Sequence, residues 1–387
     1  MIMHIVVLLY ICILFNVGAS TKTSAAYATA NAGTSHGPRT VTLIKSKKLT
    51  VYTKDVSTLK VLRNGVNSIG IFPGDTVLLE GDYLYVQLRK LKGTKEKPII
   101  FRNKGLVTIG GVPPYTLLLE GAHFKVLGDG DPSIKYGFKL GARDISSSIL
   151  QLGNSTNTEV SNIEIHGGAI GVQSNADSGI IMYDNYWHHN YIHDLGNIKR
   201  SGGRSEAFYI GWTKGKGTAL QVNCRIENNL IENITGDGIQ VNNGSYIIKN
   251  NIIRNYATAS LYGQRSAFVL GGNVKAKVYN NFVQTGLGGA IESFSDSADI
   301  RNNVFKDIDL TGTTVPDLIY INSKINDSSR PMWINMVGNT FENIRVNRKL
   351  ITVSASDSAY DRGVFKNNKG LKREAVKIMP GDIFEGD

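Results

Sequence analysis

Cysteine is nearly missing from this chain: 387 residues hold two, Cys12 and Cys224. Cys12 falls in an apolar leader, so cleavage would leave Cys224 alone and exclude any internal disulfide. Stability must then come from a core, not from staples. Past residue 20 there is no apolar run long enough to span a bilayer, which excludes stable membrane insertion. HExxH and Cys-rich metal spacings are absent, so His188, His189 and His193 with Asp184 and Asp194 do not read as a zinc site. Gly215-Lys216-Gly217 lacks the rest of a P-loop, and no nucleic-acid-binding module is present. Acidic residues are in short supply, with 32 against 43 Lys and Arg, a formal net charge of +11. The imbalance concentrates in residues 39–104, which hold 14 Lys or Arg and 5 Asp or Glu. A basic surface outside the cell suits an anionic partner such as an acidic polysaccharide.

The first twenty residues carry an apolar run from Ile5 to Val17 and end in Gly18-Ala19-Ser20. They read as a signal peptide, although Met1 to His4 has no Lys or Arg. The expectation is a secreted monomer, extracellular or periplasmic. Residues 21–40 read as a flexible leader. Ser57 stands as a helix N-cap before Leu59, Leu62, Val66 and Ile69. That spacing predicts a short N-terminal capping helix over the first rung of a stack.

What the chain has in abundance is one strand written repeatedly. It appears as Glu206-Ala207-Phe208-Tyr209-Ile210, Asp237-Gly238-Ile239-Gln240-Val241 and Ser266-Ala267-Phe268-Val269-Leu270. It returns as Gly289-Ala290-Ile291-Glu292-Ser293, Asp317 to Asn322 and Lys349 to Ser354. Large apolar residues two apart mark a strand with one buried face. A second marker is an Asn pair before an apolar couple: Asn228-Asn229, Asn250-Asn251, Asn280-Asn281 and Asn302-Asn303, with His189-Asn190 and Gly338-Asn339 as looser copies. Asn229 to Asn251 and Asn281 to Asn303 are each 22 residues apart. That length makes three short strands and three turns, one coil of a parallel β-helix. Asn tolerates left-handed turns, and stacked amides can bond from coil to coil. Residues 41–370 therefore form one all-β domain, a parallel β-helix, with 371–387 as a tail that could cover the last coil.

These residues resemble the right-handed parallel β-helix superfamily of secreted carbohydrate-active proteins. Pro73-Gly74-Asp75-Thr76-Val77 with Gly93-Thr94 and Pro98-Ile99 is similar to the opening coil of the alginate lyase and chondroitinase B family. The resemblance covers roughly residues 70–370. It implies a polysaccharide-binding surface, a catalytic Lys and Arg, and often calcium held by acidic side chains. Where that Arg would be expected the chain reads Phe268-Val269-Leu270-Gly271-Gly272-Asn273.

In a stacked coil, Tyr209, Gln240, Val269, Glu292 and Tyr320 form an outward column. Glu206, Asp237, Ser266, Gly289 and Asp317 form a second at the strand entrance. The insertions Leu195–Ser205 and Ala257–Arg265 lead into that edge, giving a groove for a linear polymer. Glu206 and Asp237 become neighbours, and one should have a raised pKa unless a cation lies between them. The pair fits a calcium site serving a uronate lyase, the acid and nucleophile of a retaining glycosidase, or simple turn capping. For β-elimination, His193, Tyr209, Lys214, Lys216 and Arg265 are placed to supply a base or positive charge. Trp212 and Tyr209 are candidate sugar platforms. Gln240 and Glu292 complete the proposed substrate-binding set. A non-catalytic glycan binder is the reading from another class.

Overall fold

The computed structural model describes residues 28–30, 40–44, 48–53, 59–63, 66–111, 115–142, 148–196, 205–212, 220–259, 263–295, 297–322, 332–354 and 360–386. The fold is a right-handed parallel β-helix. Each coil lays down one strand on each of three sheets. In one coil Leu220–Glu227 lies on sheet B, Leu230–Ile234 on sheet C and Asp237–Val241 on sheet A. The next coil repeats the order with Gly244–Lys249, Ile252–Tyr256 and Ser266–Leu270, each pairing in parallel with its predecessor.

The period-two reading of sheet A holds. Phe208 and Ile210, Ile239 and Val241, Phe268 and Leu270, and Ile291 and Ser293 are all buried. All but Ser293 join a hydrophobic core that runs along the described coils. Stacking in register lets each rung cover the apolar face of the one before it, so a repeat that could not fold alone becomes part of a long core.

Between sheets B and C the chain turns in two residues, and the Asn pair divides the work. The first Asn takes a left-handed φ, between 54° and 56° at Asn228, Asn250, Asn280 and Asn302. The second is buried and forms a ladder. Asn190, Asn229, Asn251, Asn281, Asn303, Asn339 and Asn368 follow one another, each Nδ2 donating to the next Oδ1 at 2.9–3.0 Å. Each Nδ2 also donates to a sheet B carbonyl, as Asn281 does to Ile248 at 3.0 Å. The backbone N–H of Asn251 likewise donates to Asn281 Oδ1 at 2.9 Å. This corner therefore leaves no buried amide group wasted, which matters because an unmade buried bond costs more than a made one gains.

At the corner between sheets C and A the ladder register passes over Ala207 and Gly238. The chain bends there and these small residues tuck into the core. A Cβ on Gly171 would lie 2.7 Å from Ala207 O and 2.9 Å from Ile192 Cγ2. Gly286, at the end of a sheet C strand, is under similar constraint, since an added Cβ would stand 2.2 Å from Tyr256 Cζ. Tyr256 is fully buried and its hydroxyl donates to Gly288 O at 3.1 Å. Gly286→Ala is accordingly expected to cost about 1–3 kcal/mol through overpacking, read as a lowered denaturation midpoint. An unchanged midpoint would mean that the corner is looser than described.

The N-terminal capping helix is not formed. Leu59–Arg63 and Val66–Ile71 are strands, paired antiparallel with each other, and Leu59–Arg63 pairs with Lys48–Thr53. The apolar spacing that suited a helix also suits two short strands, and the Val- and Ile-containing runs favour extension. In the sequence Asn64-Gly65 is a dipeptide favoured in hairpins, a signal that the helical reading did not take into account. At the other end Val376–Lys377 and Ile383–Gly386 add parallel strands to sheets A and B. The expected signal peptide, residues 1–20, lies outside the described residues. Among those described, no helix is long and apolar enough to cross a membrane.

Candidate functional site

The outer face of sheet A carries a continuous column of side chains. Register pairs Gln151 with Gln173, Gln173 with Tyr209, and Tyr209 with Gln240. The column continues through Val269, Glu292 and Tyr320. Rungs lie about 4.8 Å apart, so neighbouring side chains can meet successive groups of one polymer. Although this is the outward face, Gln151, Gln173, Gln240 and Val269 are only 6–7% exposed. Recessed polar groups on an outer face mark a floor and not a bare wall.

Glu206 and Asp237 sit at the entrance of their strands, on adjacent rungs and in register. They are 1% and 0% exposed. The insertion that ends at Arg265 covers them. Gln264 Nε2 donates to Glu206 Oε1 at 2.7 Å, and the Ser266 N–H donates to Asp237 Oδ1 at 2.8 Å. The carboxyl of Asp237 is pushed well above the ordinary value, first by burial and then by the Glu206 charge, with Glu292 adding to it. The coupling anticipated from the spacing is therefore present, although burial contributes more to the shift than the Glu206 charge does. Glu292 is also raised by burial, and the Arg265 guanidinium offsets part of that rise.

Other predicted residues are placed as follows. Arg265 lies at the groove edge, with Nη1 donating to Thr314 Oγ1 at 3.4 Å in the next insertion. Trp212 stands at the opposite edge of the Tyr209 rung. Trp212 is 41% exposed, and its indole N–H donates to Ala176 O at 3.1 Å. Lys214 and Lys216 lie outside the described residues. His193 does not reach the groove. It sits on Tyr191–Leu195 of sheet C, where Nδ1 is 2.7 Å from Asp194 Oδ2 and Nε2 3.3 Å from Glu164 Oε1. Its ring stacks on Tyr191. The insertion that follows His193 leads in sequence to the Glu206 strand, but the strand that carries His193 belongs to another sheet.

Three participants escaped the sequence reading. Gln264 ties the insertion to Glu206 across two rungs, and nothing periodic marks it. Arg348 pairs with the buried Asp317 at 2.7 Å, so that entrance carboxylate is neutralised within the chain. Gln173 extends the floor toward the N-terminus, its Oε1 accepting from Ser148 Oγ. Its place in the column became visible only through pairing.

Asp237 Oδ2 and Gln264 Oε1 are buried and have no hydrogen-bond partner among the described residues. Both are hard oxygen donors, and with Glu206 they suit a calcium ion. Among the described residues no three His, Cys, Asp or Glu side chains converge as a metal site. Water or substrate would have to complete any such coordination.

No family model and no curated protein matches the sequence. Solved structures do match in fold. An alginate lyase from Paenibacillus sp. str. FPU-7 aligns with a TM-score of 0.56 at 15% identity, over 81% of this chain and 93% of that one. A pectate lyase aligns with a TM-score of 0.51 at 14% identity, over 84% and 80%. At such identities the likeness shows the parallel β-helix and leaves the chemistry to the side chains.

Proposed function

We propose that this chain is a secreted polysaccharide-active protein that cleaves an anionic, uronic-acid-containing polymer by β-elimination in the sheet A groove. One observation carries the proposal. A recessed polar floor runs past a buried, coupled carboxyl pair, with a guanidinium and a partly exposed indole on its two edges. The likeness in fold to an alginate lyase and a pectate lyase agrees with it.

Elimination removes the proton from C5 of a uronate and spreads charge into the carboxylate. The C4–O bond then breaks, and the departing oxygen takes up a proton. Arg265 supplies positive charge for the carboxylate. Tyr209, on the floor, is the group placed to exchange protons at the ring. Gln240 and the indole of Trp212 orient the sugar by hydrogen bonding and stacking. Calcium held by Glu206, Asp237 and Gln264 would add charge neutralisation at the uronate.

Assay of alginate, polygalacturonate and chondroitin, followed by the ultraviolet absorbance of unsaturated ends, tests this reading. Arg265→Ala is expected to lower turnover about 100-fold. New reducing ends without that absorbance would instead favour a glycoside hydrolase using Glu206 and Asp237, a reading supported by the upward shift that burial gives the Asp237 carboxyl. Polymer retention without cleavage would leave a glycan-binding protein.

A further inference from the structure

We infer that the groove continues at its N-terminal end onto a basic ledge, Arg89 to Lys97, which holds a long acidic polysaccharide beyond the cleavage rung. This rests on the proposed function above and adds a second binding region for the same polymer. The groove column extends backward from Tyr209 through Gln173, Gln151 and Leu118 to Gln87 on Tyr85–Lys92. Four rungs separate Gln87 from Tyr209, about 19 Å along the stack. Directly after Gln87 the chain presents Arg89, Lys90, Lys92, Lys95 and Lys97, all exposed, with Glu96 as the one acidic residue in that stretch.

The ledge is held in shape. The Thr94 N–H donates to Lys97 O at 3.1 Å, and the Lys97 N–H returns to Thr94 Oγ1 at 3.0 Å. The Lys97 stem passes over Gly74, where an added Cβ would meet it at 3.5 Å. Arg89 is paired with Glu120 at 2.8 Å. Lys92, Lys95 and Lys97 form no ion pair among the described residues. Lys90 has a φ of 53° and is the one Lys or Arg among the described non-glycine residues with positive φ. Asn fills most such positions at lower strain, so a lysine there spends backbone energy to present its charge.

The surroundings select the partner. Within Arg89–Lys97 the one large apolar residue, Leu91, is fully buried. The stretch itself offers no aromatic ring for stacking nucleic-acid bases and no exposed apolar anchor for a bilayer. What remains is a run of basic groups that starts at the end of the Gln87 strand, at the edge of the floor, and turns past the corner toward sheet B. That arrangement suits the carboxylates of a chain already lying in the groove, and binding gains from a shared, linked ligand.

The test compares the parent with a combined Lys90→Gln, Lys92→Gln, Lys95→Gln, Lys97→Gln variant. Affinity is measured for long alginate, polygalacturonate and chondroitin chains and for short fragments of each, at low and physiological salt. For whichever polymer binds, the variant is expected to lose about tenfold in long-chain affinity and to show a flatter salt dependence. Short-fragment affinity should hold, and the matching Lys→Arg set should restore the loss. Equal long-chain affinity in variant and parent would overturn the ledge while leaving the groove reading in place. Failure of the parent to bind any acidic chain would overturn both. Capture of phosphatidylserine vesicles, lost in the variant, would replace the polysaccharide with a membrane.

Discussion

Asn281→Ala should be among the most destabilising single substitutions in the chain, costing about 4 kcal/mol or more as several buried groups lose partners at once. Asn281 Oδ1 accepts from both the Asn251 N–H and Asn251 Nδ2, and its own Nδ2 serves Ile248 O and Asn303 Oδ1. Removing the side chain strands groups on the coils to either side. Asn281→Asp makes the test sharper. It keeps the shape and the acceptor but loses the Nδ2–H donors and places a charge where none can be solvated. Both variants should denature at much lower temperature or denaturant, and Asp should be no better than Ala at neutral pH. A loss within the ordinary range of a surface change would show that the ladder merely fills space. The midpoint is the proper readout, since long repeat stacks need not unfold in one step.

Asp237→Asn should separate activity from stability in opposite directions. Burial and the Glu206 carboxylate hold the Asp237 proton well above its ordinary range, whereas an unfolded chain releases it near pH 3.9. Its contribution to stability is therefore complete below about pH 4 and is lost as pH rises toward the folded value. An asparagine carries no such slope, because its neutral amide needs no proton. It can still accept from the Ser266 N–H. The variant should thus be more stable than the parent at neutral pH with chelator present, and the difference should shrink toward pH 4. Turnover of the acidic polymer should fall about 100-fold or more if Asp237 acts through its charge or its proton. Added calcium should raise the midpoint of the parent and not that of the variant. Unaltered turnover would remove Asp237 from the site. A parent midpoint indifferent to calcium would remove the ion and leave the protonated carboxyl.

The same residues show how far spacing can be read. Phe208 and Ile210 declared the buried face of their strand because a period of two is a property of the backbone itself. Asn229 and Asn251 declared the coil length because a tight corner admits few residue types. His193 was misplaced for a related reason: its sequence neighbours belong to the groove, but the sheet on which it stands depends on where the chain turns. Leu59, Leu62, Val66 and Ile69 satisfied a helical stripe while forming paired strands, since so short a stretch fits both periods.

Alone, then, the amino-acid order determined the rung: its strands, its Asn corner, its inward column and the adjacency of Glu206 to Asp237. These follow from local geometry repeated at a nearly fixed interval, and repetition makes local preference cumulative. Tertiary packing decided what covers each rung. It placed Gln264 against Glu206 from two coils away, drew Asp237 out of water and ran the floor back to the lysines beside Gln87. Insertions of unequal length have no period, so their resting places are set by contacts through space.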